Sequence, residues 1–91
     1  MKKIETYLPR KVFDQYVLLP VGQEIMRNKS IIKLNETGYI IAQTLIKHPE
    51  YDDALVALIK EFDASDDETP EVKASLDAFL DMLARKNITI S

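Results

Sequence analysis

Ile31-Ile32-Lys33-Leu34-Asn35-Glu36-Thr37-Gly38 is the stretch on which the fold turns, because the apolar period changes inside it. Up to Leu34 the residues form a β-branched run suited to extended chain. From Asn35 onward the signals are those of a helix start. Asn35 is a good N-cap, Glu36 puts negative charge on the first turn, and Ile40, Ile41, Thr44 and Leu45 recur at helical spacing. A strand therefore hands over directly to a helix.

Upstream of that junction, Tyr16-Val17-Leu18-Leu19 reads as a strand stopped by Pro20 and Gly22. Residues 23–26 offer a second short run, residues 27–30 are polar enough to turn, and residues 31–34 make a third strand. The expected sheet is a three-stranded antiparallel meander. Residues 1–14 contain Pro9 and mix basic with apolar residues without periodicity, so they read as an irregular N-terminal arm before a domain over residues 15–91.

Downstream, the first helix runs to about Lys47, where His48-Pro49-Glu50 breaks it. A second helix follows, capped by Asp52, with Leu55, Leu58, Ile59 and Phe62 along one face. Thr69-Pro70-Glu71 then supplies an N-cap, a proline at the first helical position and an early acid. Val72, Leu76, Phe79, Leu80 and Leu83 stripe this third helix, Arg85 and Lys86 suit its C-terminal end, and Asn87 can stop it. Ile88-Thr89-Ile90 reads as a short extended tail. The fold class is α+β, a small sheet followed by three helices in a winged-helix-like order.

Composition narrows the chemistry. Ninety-one residues suit one domain with a single core, and 46% apolar with 30% charged residues is a globular balance. Without cysteine there is no disulfide, thiolate nucleophile or iron–sulfur ligation by this polypeptide. Its glycines, Gly22 and Gly38, cannot build a glycine-rich phosphate loop. His48 is the only histidine and has no companion with which to hold a metal, so an exposed turn histidine is expected. The acids Asp63, Asp66, Asp67 and Glu68 lack the spacing and glycine of a calcium loop. The expectation is no enzyme activity, no metal and no cofactor.

Charge is divided along the chain. Through Lys33 there are seven Lys or Arg against three acids, and from Leu34 onward five against twelve, so a +4 segment precedes a −7 segment. A winged-helix order invites a nucleic-acid-binding alternative, but the candidate recognition helix balances Lys73, Arg85 and Lys86 with Glu71, Asp77 and Asp81. Phosphate binding wants a net positive face. No apolar run approaches the roughly 18 to 20 residues that span a bilayer, and the opening Met1-Lys2-Lys3-Ile4-Glu5-Thr6 is not a signal-peptide core. A cytoplasmic protein that binds neither nucleic acid nor membrane is expected.

What remains is a sheet edge beside a long striped helix, an arrangement able to take an extended peptide as one more strand. Leu34-Asn35-Glu36-Thr37-Gly38 between a β-branched strand and an Ile-rich helix resembles the L-N-x-T/S-[GA] junction of the PqqD family. The resemblance continues through Tyr51-Asp52-Asp53-Ala54-Leu55, Leu58 and Phe62, the acidic connection, and Asp77-Ala78-Phe79-Leu80, covering roughly residues 15–88. It implies a RiPP recognition element, a peptide chaperone without catalysis of its own. Such a domain binds the leader of a ribosomally made precursor peptide on its third strand, in a groove shared with the third helix. It then presents the core to a modifying enzyme, a radical S-adenosylmethionine protein in pyrroloquinoline quinone (PQQ) synthesis.

Carried onto this chain, the resemblance makes Ser30, Ile31, Ile32, Lys33 and Leu34 the candidate peptide-binding strand, and Val72, Lys73, Leu76, Asp77 and Leu80 the candidate helix residues. Alternation directs Ile32 and Leu34 to the core and leaves Ile31 nearer the groove. On the helix, Lys73, Asp77 and Leu80 flank the stripe on one side, Ser75 and Met82 on the other, and the pattern alone leaves open which flank lines the groove.

Overall fold

The structure is a computed structural model that describes residues 5–21 and 31–90. Strands β1 (Glu5–Val12) and β2 (Gln15–Pro20) form an antiparallel hairpin, with Val12 opposite Gln15 and Tyr7 opposite Pro20. Strand β3 (Ile32–Leu34) lies antiparallel to the other side of β2. Helices α1 (Glu36–Lys47), α2 (Tyr51–Glu61) and α3 (Thr69–Lys86) follow, and β4 (Ile88–Ile90) returns parallel to β1. The sheet order is β3-β2-β1-β4.

The α+β class with three helices is as expected, but among the described residues the sheet has four strands and mixed direction. Two segments account for the difference. The lead-in read as an irregular arm is β1, whose partner is β2 along six consecutive residue pairs. Pro9 is tolerated there because β4 pairs only with Glu5 to Tyr7, so β1 beyond Tyr7 is an edge on that side. The expected extended tail is β4, a strand of three residues. The run expected as a strand at residues 23–26, and the turn after it, lie outside the described residues.

The core sits between the sheet and the helices. Leu18 of β2, Ile41 of α1, Leu58 of α2 and Leu76 of α3 are its most completely buried side chains, each element supplying one. Tyr7, Leu45, Val72, Phe79, Leu83 and Ile88 complete the centre. Among the described residues no buried side-chain polar atom lacks a partner. The helix ends follow local chemistry. Asn35 caps α1 by accepting from the Gly38 N–H at 2.7 Å, and Asn87 stops α3 in a left-handed conformation at φ 56°. The expected caps at Asp52 and Thr69 are displaced, since α2 starts at Tyr51 and α3 at Thr69. Ahead of α3, the Glu68 carboxylate accepts from both the Ser65 N–H and hydroxyl, and the Thr69 hydroxyl donates to the Ser65 carbonyl.

Candidate functional site

Strand β3 is bonded to β2 through Leu34 opposite Tyr16, Lys33 opposite Val17 and Ile32 opposite Leu18. It ends the sheet, so among the described residues its outer edge faces no strand. Residues 5–12, part of the lead-in read as an arm, pair on the far side of β2. An unpaired edge offers backbone donors and acceptors to any extended chain that reaches it.

The edge is held in place from behind. Tyr16 of β2 packs against Tyr39 of α1 with ring centroids 4.6 Å apart, and its hydroxyl donates to Glu36 at 3.3 Å. Together with the Asn35 cap, these contacts fix the angle between β3 and α1. Gly38 belongs to the same arrangement, because a Cβ there would stand 3.2 Å from the Asn35 Oδ1 and 3.5 Å from Leu34. The bare Cα lets the cap and the end of β3 approach each other.

Beside β3 runs a cavity of about 350 Å³. Its walls are Lys33 and Leu34 from the strand, Asn35, Thr37, Gly38 and Ile41 from the junction and α1, and Ser75, Ala78, Phe79 and Met82 from α3. Small side chains at Ser75 and Ala78 leave the space, buried Phe79 forms the floor, and Met82 is a conformationally adaptable wall. Among the described residues Lys33 is the one ionisable residue bordering it. The space is of a size and lining suited to an apolar side chain.

On the strand, the inward packing expected of Ile32 and Leu34 is found, whereas Ile31, expected nearer the groove, is not beside it. Ile32 and Leu34 pack partly buried against the core as alternation requires, and Lys33 lines the cavity. Ile31 is 59% exposed and lies over a different cavity on the other face of the sheet. Ser30 is outside the described residues. On α3, Leu76 is wholly buried, and Val72 is buried beside a separate hollow with Thr37, Phe62 and Ser75. Lys73, Asp77 and Leu80 occupy the flank turned from β3. Leu80 packs on the core, and Asp77 accepts a 2.5 Å hydrogen bond from the Tyr51 hydroxyl of α2. The flank beside the open strand is that of Ser75, Ala78 and Met82. The signal that could have found it is size, since Ser75 and Ala78 are small residues close to the stripe.

Electrostatics sharpen the contrast between the flanks. The Tyr51 pKa is pushed up to about 12, first by its hydrogen bond to Asp77, then by desolvation and by the charges of Asp77 and Asp52. Glu68 is held below its usual range by the backbone and side-chain donors of Ser65. Both groups fasten helix ends and neither lines the cavity beside β3. His48 is an exposed residue at the end of α1, and among the described residues no three of His, Asp and Glu gather as metal ligands. Among those residues no helix is long and apolar enough to cross a membrane.

Neither the curated proteins nor the solved structures provide a match to the chain. The family described as Coenzyme PQQ synthesis protein D (PqqD) matches over residues 15–88, nearly the whole length and including β2, β3 and all three helices. This chain belongs to the PqqD family.

Proposed function

We propose that this protein is a non-catalytic leader-peptide-binding module that takes an extended precursor segment onto β3 and delivers it to a peptide-modifying enzyme. Membership of a family tied to PQQ synthesis supports an accessory role in that pathway or in the maturation of a related ribosomal peptide. The partner enzyme in this reading is a radical S-adenosylmethionine protein. The observation that carries the proposal is the outer edge of β3, which faces no strand among the described residues and is bordered by the cavity over Phe79 and Met82.

Magnitudes say what each part contributes. A three-residue edge supplies only a few main-chain hydrogen bonds, each worth roughly 1 kcal/mol net. Micromolar affinity requires about 8 kcal/mol, after the cost of immobilising the guest. Backbone pairing alone falls short. Burying one large aliphatic side chain adds about 1.5–3 kcal/mol, so the groove has to supply much of the affinity as well as the selectivity.

The test is a titration of isotope-labelled protein with the synthetic leader of any short precursor peptide whose gene is found to adjoin its own. Shifts confined to the amides of Ile31 to Leu34 and to the Ser75, Ala78 and Met82 side of α3, with modest salt dependence, are the expected result. Shifts centred elsewhere would overturn the assignment. A nucleic acid that binds with steep salt dependence where the peptide does not would replace it.

A further inference from the structure

The outer face of the sheet is built unlike a solvated one. Leu18 and Ile32 point to the helices, so Val17, Leu19, Ile31 and Lys33 point to the other side. Val17 is only 6% exposed yet stands apart from the helix-side core. Around it lies a cavity of about 460 Å³, lined by Val12, Phe13, Val17, Leu19, Ile31 and Lys33 among others. Phe13 is 93% exposed at the hairpin tip and holds φ at 56°, a conformation that favours glycine and is unusual for a bulky residue. Nothing in the helix-side packing calls for a phenylalanine there. A bulky residue kept in such a conformation points to use at a surface.

Lys33 joins the two sides. It lines this outer cavity as well as the one beside α3, and it sits on β3 itself. Any strand added to β3 must send alternate side chains to opposite faces of the sheet. Half of them enter the cavity over Phe79. The other half pass Ile31 and Lys33 on the outer face.

We propose, on the reading that β3 receives an extended peptide, that the outer cavity is a second subsite for that same peptide. The accepted segment is then a continuous apolar run next to a carboxylate, and not an alternation of apolar and polar residues. Strands covered on both faces carry continuous apolar runs for the same reason. The carboxylate follows from charge. Lys33 has no acidic partner among the described residues, and Arg10, the other residue opposite Val17, adds a second cation to the outer face, so that Asp14, the acid among the described residues lining the cavity, still leaves a net positive charge there.

Two blocked synthetic peptides of identical composition, drawn from Leu, Val, Ser and Glu, separate the possibilities. One carries its apolar residues consecutively beside a Glu, and the other alternates them with Ser and Glu. The consecutive peptide should shift both the β3 amides and the methyl groups of Val17, Leu19 and Ile31, and should bind at least about tenfold more tightly, as expected for one further buried side chain. Ile31→Glu and Phe13→Ser, both at exposed positions, should reduce its affinity to that of the alternating peptide. Circular dichroism confirms that each variant is folded. Equal binding of the two peptides at β3, with silent outer methyls, would overturn the second subsite and leave the groove reading intact. Failure of both peptides to shift β3 amides would count against both.

Discussion

The two flanks of α3 share one apolar stripe but are finished in opposite ways. On one flank Asp77 is fastened to Tyr51 of α2 and Leu80 packs into the core. On the other, Ser75 and Ala78 are small, Met82 is adaptable, and a cavity separates them from β3. The first flank holds helices together, and the second keeps a helix and a strand edge apart. A binding surface is thus marked less by the stripe, which both flanks border, than by what lies next to it.

Breaking the stripe itself should have the largest effect. Leu76 is completely buried, so Leu76→Ala should lower stability by about 2–5 kcal/mol in chemical denaturation and remove both flanks together. Next comes the open flank alone. Ala78 is exposed, so Ala78→Trp should fill the groove and weaken peptide binding tenfold or more by calorimetry, about 1.4 kcal/mol. Stability should change by no more than about 0.5 kcal/mol, as is usual for surface positions. Equal loss of affinity in Asp77→Asn would erase the distinction between the flanks.

The fastened flank should answer to pH instead. The pKa of Tyr51 is raised on folding from 10.0 to about 12, so its contribution is complete below about pH 10 and lost as pH rises through 12. Tyr51→Phe should lower the melting temperature slightly at neutral pH and flatten that alkaline limb, with peptide affinity unchanged. The smallest effect belongs to Glu68, whose pKa is lowered from 4.5 on folding. Its stabilisation is present above that value and is lost as pH falls through the lowered one. Glu68→Gln should reduce the melting temperature at neutral pH by less than Tyr51→Phe does and flatten the acid limb, with the alkaline limb unchanged in slope.

Local chemistry made the helices legible. The Asn35 cap, the stripe of Val72, Leu76, Phe79 and Leu83, and the stop at Asn87 all act within a turn of their own residue. Alternation likewise put Ile32 and Leu34 inward. What stayed hidden depended on partners far away in the chain. Pro9 and the charges of Arg10 and Lys11 argue against a strand locally, yet pairing with β2 makes one. The three residues of β4 are too few to carry a pattern, and their parallel alignment with β1 is settled by where α3 ends. The open flank of α3 was hidden for the same reason. Lys73, Asp77 and Leu80 border the stripe as closely as Ser75 and Met82 do, and apart from the small size of Ser75 and Ala78 only the placement of β3 distinguishes them.

Intermolecular nuclear Overhauser contacts between bound peptide and protein report on the decisive point most directly. A guest lying as a strand on the sheet should give backbone-to-backbone contacts with Ile32, Lys33 and Leu34, together with side-chain contacts to Ala78 and Met82. A peptide that binds with comparable affinity while contacting the Lys73 and Asp77 side of α3, and no backbone proton of β3, would contradict the account.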